Sequence, residues 1–128
     1  MKNLKAIIFD LDGTLIHSAP DMHAAVNVTL NALGRDTLDL HTIISFIGNG
    51  FEKLVEQSLD ATGRYDGSVR QTALDLYLKS YNQNITTLTR PYTGVVSALR
   101  EFQRAGVPMG ICTNKLTKPA KEICARLN

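Results

Sequence analysis

The chain has 128 residues, of which 44% are hydrophobic and 20% are charged, so its composition is that of a globular protein and excludes disordered and collagen-like classes. The formal net charge is only +2, and Lys and Arg form no long runs, so nothing in the charge pattern indicates a nucleic-acid partner. The sequence also has no secretory signal pattern and no apolar run of the roughly 20 residues that a membrane span needs, so we expect a cytoplasmic protein without a membrane segment.

The first element in chain order is a short apolar run at residues 4–9, which is rich in strand-forming residues and too brief for a stable helix. We interpret it as a buried β-strand that ends before a turn-forming Asp-Gly pair. An amphipathic helix is predicted next. Ser18 is a suitable N-cap, Pro20 fits a first helical turn, and apolar residues recur at helical spacing until Gly34.

Three further helices are predicted in the segment that follows. They cover about residues 39–46, 50–61 and 67–81, and glycine-containing loops separate them. Together with the preceding helix they make residues 17–88 an all-helical insert.

The sequence pattern changes near Pro91. Residues 95–106 have the apolar spacing of a helix that ends at a glycine, and residues 107–112 form a second strand-like run. The last helix opens at residue 117 and has no stop signal before the end of the chain.

A strand, a crossover helix and a parallel strand form a right-handed βαβ unit, so both strands direct their carboxyl ends to the same edge of the sheet. Asp10 and Thr113 follow the two predicted strands and should meet at that edge. We therefore predict an α/β fold in which residues 1–16 and 89–128 form a Rossmann-like core with a parallel sheet, and residues 17–88 form an inserted helical domain.

The chain must cross between these two domains twice. The crossings fall at about residues 15–18 and 88–93. We expect both to act as hinges for closure of the helical domain over the sheet edge.

The most informative segment runs from Asp10 to Thr14. Two carboxylates, Asp10 and Asp12, follow the first strand, and like charges at this spacing need a cation or a proton between them. Mg²⁺ meets this need, and it would allow Asp10 to attack a phosphate while Asp12 supplies a general acid and base. Gly13 permits a sharp turn, and Thr14 offers a hydroxyl that could orient Asp10 or the phosphate.

Residues 7–15 resemble the first motif of the haloacid dehalogenase superfamily, a hydrophobic strand followed by D-x-D-G-T. Residues 110–114 resemble the second motif, an apolar strand that ends in Thr or Ser. The resemblance implies phosphoryl transfer through an aspartyl-phosphate, with Asp10 and Asp12 at the metal. It also implies that Thr113 and Asn114 hold the phosphoryl oxygens.

The helical insert resembles the mobile cap of the subgroup in which the cap follows the first motif. Residues 46–55 are similar to its substrate-facing loop, in which Gly48 and Gly50 would bind an anionic substrate through backbone N–H groups. These glycines are explained equally well as ordinary residues of a loop that precedes a helix. The resemblance favours 2-phosphoglycolate as the substrate.

The family also uses residues that the sequence does not supply. A lysine steadies the nucleophile and the phosphate, and an acidic pair on a later strand completes the Mg²⁺ shell. Lys115 and Lys118 come one strand too early for that lysine, and no matching acidic pair follows. Two parallel strands would also leave an apolar face uncovered. We therefore expect this chain to be the front part of a longer protein.

The favoured function is Mg²⁺-dependent hydrolysis of a small phosphorylated metabolite. A phosphomutase is one alternative, because the aspartyl-phosphate can be passed to a second hydroxyl instead of water. A catalytically silent chain that serves as an interaction module is another.

The candidate site residues also have purely structural interpretations. Asp10 and Asp12 fit a solvated turn after a strand, and Thr113 with Asn114 fits a turn followed by a helix cap.

Neither the cysteines nor the histidines form a metal-ligand pattern. Cys112 and Cys124 are expected to be reduced thiols packed as small hydrophobic side chains. His17, His23 and His41 are expected at the surface or at the cap interface, with His17 closest to the first motif.

Overall fold

A short parallel sheet and a group of packed helices form the part of the chain that the computed structural model describes, residues 5–115 and 117–127. Among these residues, none of the helices is both long and apolar enough to cross a membrane. In chain order the elements are β1 (Ile7–Phe9), β2 (Ile16–His17), α1 (Ala19–Ala32), α2 (Leu40–Phe46), α3 (Phe51–Thr62), α4 (Gly67–Gln83), β3 (Arg90–Pro91), α5 (Val95–Arg104), β4 (Met109–Ile111) and α6 (Thr117–Leu127).

The two strands β1 and β4 pair in parallel, with Ile7 opposite Met109 and Phe9 opposite Ile111. Helix α5 is the crossover between them, and the rings of Phe9 and Phe102 lie 6.4 Å apart, which packs α5 against β1. The predicted α/β fold with a parallel sheet is therefore confirmed, and the carboxyl ends of both strands lie at one edge.

The expectation that the first strand is buried is wrong. Ile8 is 72% exposed, and Met109 and Ile111 on β4 are 39% and 46% exposed. Among the described residues β1 has only β4 as a neighbour in the sheet. Larger parallel sheets are normally covered on both faces, whereas this two-stranded sheet leaves apolar side chains exposed. An apolar run predicts a strand correctly but does not by itself determine which face is covered.

Helices α1 to α4 pack on one another and carry most of the buried apolar side chains. Asp39 caps α2 by accepting a 2.7 Å hydrogen bond from Thr42 N, and Asp66 caps α4 by accepting a 2.9 Å bond from Val69 N. Ser18 is at the N-cap position of α1, as predicted, but its side chain makes no capping hydrogen bond. Its hydroxyl donates to Asp12 instead.

The chain crosses between the sheet and the helices through a small antiparallel pair that the sequence did not predict. Strands β2 and β3 place Ile16 opposite Pro91 and His17 opposite Arg90. Nδ1 of His17 lies 3.2 Å from the hydroxyl of Tyr92, and their rings are 5.5 Å apart. The two crossings are thus joined to each other.

A buried carboxylate strengthens this joint. Asp21, in the first turn of α1, is 2% exposed and faces the second crossing. One of its oxygens accepts hydrogen bonds from Leu88 N at 2.9 Å, Thr89 N at 2.8 Å and Thr89 Oγ1 at 2.6 Å. These donors offset the cost of burying the charge, because hydrogen bonds to an ionised group are stronger than neutral ones.

Three aromatic rings form a column on α3 and α4. Phe51 and Tyr77 stack with centroids 6.2 Å apart, and Tyr77 and Tyr81 stack with centroids 5.6 Å apart. Both tyrosines are almost completely buried, and burial raises the pKa of each phenol well above its ordinary value.

We expect Asp21→Asn to lower the free energy of unfolding by about 2 kcal/mol, because the amide replaces charge-assisted hydrogen bonds and turns a donor toward backbone N–H groups. Urea unfolding followed by circular dichroism measures the change. Asp36→Asn removes an exposed carboxylate from the loop after α1 and is the control. Equal stabilities of the two variants would contradict the assigned role of Asp21.

We also expect Tyr77 and Tyr81 to ionise only when the protein unfolds at alkaline pH. Their folded pKa values lie above the unfolded value near 10, so the stabilisation is present below about pH 10 and is lost as the pH rises further. Tyrosinate absorbance and circular dichroism should therefore change together. Replacing either residue by Phe should shrink the shared absorbance step. Ionisation of both phenols before the helical signal falls would refute this assignment.

Candidate active site

A cleft lies where the carboxyl edge of the sheet meets helices α3 and α4. Six of the seven residues predicted for the site line this cleft, namely Asp10, Asp12, Gly48, Gly50, Thr113 and Asn114. The other residues that line the cleft are Met22, Ile47, Phe51, Tyr77, Leu78, Tyr81 and Lys115. The fold thus collects residues from both ends of the chain and from the helical insert.

The loop after β1 presents its two carboxylates by burying the residue between them. Leu11 is 1% exposed in the core, and its carbonyl accepts a hydrogen bond from Leu15 N at 3.0 Å. Gly13 follows with a φ of 81°, a conformation that favours glycine, and its N–H donates to Ile16 O at 2.9 Å. Asp10 is exposed at the strand end, and its Oδ1 accepts from Leu11 N at 2.9 Å.

Asp12 is held at both carboxylate oxygens. Ser18 Oγ donates to Oδ1 at 2.5 Å, and Lys115 Nζ lies 3.1 Å from Oδ2. The Asp12 side chain is 12% exposed and the Lys115 side chain only 6%. Burial lowers the pKa of the Lys115 ammonium, while the negative charge of Asp12 acts in the opposite direction.

The loop after β4 touches the helical segment directly. Asn114 Nδ2 donates to Gly48 O at 2.6 Å. Gly50 has a φ of 89° at the start of α3, and a Cβ there would lie 3.6 Å from Asn114 O. Thr113 Oγ1 accepts from Lys115 N at 3.1 Å, which is the turn contact that the simpler interpretation of this threonine predicts.

The remaining candidates lie elsewhere. Thr14 is exposed and is not among the described residues that line the cleft. Lys118 is exposed on α6. Cys112 and Cys124 are free, as predicted, but Cys112 is exposed rather than packed, because it follows the uncovered strand β4. His17 lies at the β2–β3 joint, as described above.

Sequence reasoning did not find the contact between Lys115 and Asp12, nor the tyrosines of α4 in the wall. The position of Lys115 directly after the second motif was the one available signal. Tyr77 and Tyr81 belong to a helical apolar stripe, and this pattern does not distinguish core residues from residues that also line a cleft.

The sequence model that describes the haloacid dehalogenase-like hydrolases matches residues 7–128. A phosphoglycolate phosphatase from Cereibacter sphaeroides is 40% identical over 121 residues, which are 94% of this chain and 56% of that protein. A phosphoglycolate phosphatase from Nitrosospira multiformis is 42% identical over 114 residues, which are 88% of this chain and 50% of that protein. The chain thus spans about half the length of these relatives.

The fold of a solved structure agrees with this match. The crystal structure of a predicted phosphoglycolate phosphatase from Haemophilus somnus superposes with a TM-score of 0.94 at 25% sequence identity. The superposition covers 98% of this chain and 58% of that one. Together with the match over residues 7–128, these likenesses show that the chain belongs to the haloacid dehalogenase-like hydrolase family.

Proposed function

We propose that the protein containing this chain is a Mg²⁺-dependent hydrolase of phosphoric monoesters that uses Asp10 as its nucleophile. The observation that carries the proposal is the cleft in which Asp10 and Asp12 lie together with Thr113 and Asn114. Asp10 and Asp12 would act as a nucleophile and a neighbouring acid. The Thr113 hydroxyl and the adjacent backbone N–H would bind phosphoryl oxygens.

The donor set of the cleft fits Mg²⁺. This ion is commonly held by one or two carboxylates, with water and substrate phosphate oxygens in the remaining positions. Among the described residues no three His, Cys, Asp or Glu side chains cluster as a complete metal cage. Lys115 and Ser18 already balance the Asp12 carboxylate, so the exposed Asp10 carboxylate and the Asp12 main-chain carbonyl are the groups that would hold the ion. When bound, Mg²⁺ would reduce the repulsion between Asp10 and the phosphate.

In the first step an Asp10 carboxylate oxygen attacks phosphorus and forms the aspartyl-phosphate. The ester P–O bond breaks, and its electron pair goes to the leaving oxygen. Asp12 in its protonated form gives that oxygen a proton, which avoids release of a high-energy alkoxide. Thr113 and Asn114 hold the phosphoryl oxygens during the transfer.

In the second step water attacks the phosphorus of the aspartyl-phosphate. Asp12, now a carboxylate, takes a proton from that water, and the P–O bond to Asp10 breaks. Inorganic phosphate leaves, Asp10 regains its carboxylate, and Asp12 regains its proton. Both steps require one Asp12 oxygen to face the reacting oxygen, and the contact at the other Asp12 oxygen would keep the carboxyl group in that orientation.

We infer that the substrate is a small phosphorylated metabolite, with 2-phosphoglycolate the favoured one. The names of the two relatives described above support this substrate. We further propose that residues 17–88 act as a cap domain on a core formed by residues 1–16 and 89–128. The contact of Asn114 with Gly48 supports a closed position of this cap, in which Gly48 and Gly50 lie next to the substrate.

Asp10→Asn should lower the turnover of 2-phosphoglycolate at least about 10³-fold in the complete natural protein, because the amide is a very poor nucleophile. Release of inorganic phosphate measures the effect, and Asp36→Asn is the matched exposed control. Full activity of Asp10→Asn would contradict the proposed role. An isomerised product without free phosphate would indicate a phosphomutase instead, and absence of any turnover in the wild type would indicate a silent protein.

Removal of divalent ions should abolish the same activity, since the Asp10 carboxylate would then repel the phosphate. Addition of Mg²⁺ to the chelator-treated protein should restore it. Undiminished phosphate release in excess chelator would be incompatible with the proposed metal dependence.

A further inference from the structure

Lys115 is the one cationic side chain among the described residues that line the cleft. Its ammonium group lies between a carboxylate and an aromatic ring. Its Nζ lies 3.1 Å from Asp12 Oδ2 and 4.6 Å from the centroid of the Tyr81 ring. An ammonium group that is only 6% exposed must be compensated by its neighbours. The carboxylate and the face of the aromatic ring provide this compensation.

These three side chains come from three separate parts of the fold. Asp12 is in the loop after β1, Lys115 is in the loop after β4, and Tyr81 is in α4. Tyr81 is itself fixed, because its ring stacks on Tyr77 and is 3% exposed. Lys115 therefore connects the sheet edge to the helical segment through a rigid aromatic surface.

The other oxygen of Asp12 also depends on the helical segment. Ser18, which donates to Oδ1, immediately precedes α1. One oxygen of the carboxylate is thus held by a residue that precedes α1, and the other by a lysine whose ammonium group also faces the Tyr81 ring of α4. If α4 moved away from the sheet edge, Lys115 would lose the ring that fixes its ammonium group, and the contact that orients Asp12 would weaken.

We propose that Lys115 is a positioning residue, which holds Asp12 in its working orientation only while α4 is docked against the cleft. This inference rests on the hydrolase function proposed above. It differs from the role of a simple phosphate-binding lysine, because the ammonium group acts through Asp12 and not on the phosphoryl group.

The two roles make different kinetic predictions. An alkyl phosphate needs protonation of its leaving oxygen by Asp12, whereas an aryl phosphate leaves as a stable phenolate and needs little help. Loss of Asp12 orientation should therefore affect alkyl phosphates selectively. Loss of a phosphate-binding charge should affect both substrates alike, mainly through KM.

The experiment compares Lys115→Met, Lys115→Arg and Lys118→Met in the complete natural protein, using 2-phosphoglycolate and p-nitrophenyl phosphate. The measured quantity is kcat/KM, which includes every step through phosphoryl transfer. Lys118→Met removes an exposed lysine of α6 and is the matched control. Circular dichroism establishes that each variant is folded.

For Lys115→Met we expect kcat/KM to fall about 10²-fold on 2-phosphoglycolate, within the range of general acid catalysis, and much less on the aryl phosphate. Lys115→Arg keeps the charge and should recover part of the loss. Equal losses on both substrates, or no loss, would overturn the positioning role and leave the proposed function intact. A wild-type protein that hydrolyses neither substrate would instead overturn the proposed function, and this inference with it.

Substitutions of Tyr81 give a second test, and its single variants do not depend on Lys115 variants being folded. The Tyr81 hydroxyl is buried without a hydrogen-bond partner among the described residues. We therefore assign the effect of Tyr81 on Lys115 to its aromatic ring. Tyr81→Leu should reproduce the selective loss on the alkyl phosphate, and Tyr81→Phe should lose less. The double variant Lys115→Met with Tyr81→Leu should be little worse than the Lys115 variant alone, because the two residues act together. Additive losses would contradict the coupling.

Discussion

The parallel pairing of β1 with β4 is the constraint on which the rest of the site depends. It brings the residues that follow each strand to one edge of the sheet, although they come from opposite ends of the chain. The hydrogen bond from Cys112 N to Phe9 O, at 2.8 Å, continues the pairing to the last residue before this edge on each side. Asp10 and Thr113 could not line the same cleft without it. The crossover helix α5 makes this pairing possible because a parallel connection requires the chain to return over the sheet.

The two carboxylates of the cleft have different surroundings, and this gives them different properties. Asp12 is mostly buried and has an ammonium and a hydroxyl at its two oxygens. Asp10 is exposed and receives a hydrogen bond from the following backbone N–H. A carboxylate with compensating donors suits a group that must hold one orientation, whereas an exposed one can approach a ligand or a cation. The sequence places the two residues only two positions apart, so the difference arises from what surrounds each of them.

The helical segment and the sheet are connected more extensively than two covalent crossings require. Strands β2 and β3 pair with each other, and Asp21 fixes the backbone at Leu88 and Thr89. At the cleft, Asn114 binds the carbonyl of Gly48. Polar contacts thus occur at the two crossings and at the cleft, whereas the apolar core lies mainly within the helices. Contacts of this kind can separate at modest cost, which is compatible with the cap role proposed for residues 17–88.

The sequence by itself determined the order and type of the main elements, because the apolar period of each segment is a local property. It also determined the first motif, since strand, carboxylates and glycine are adjacent in the chain. The tertiary structure decided which side chains share an environment. The partnership of Lys115 with Asp12 and Tyr81 and the hydrogen bonds that Asp21 accepts depend on residues far away in sequence. No local pattern encodes such contacts, because they follow from how the elements pack and not from the period of any one element.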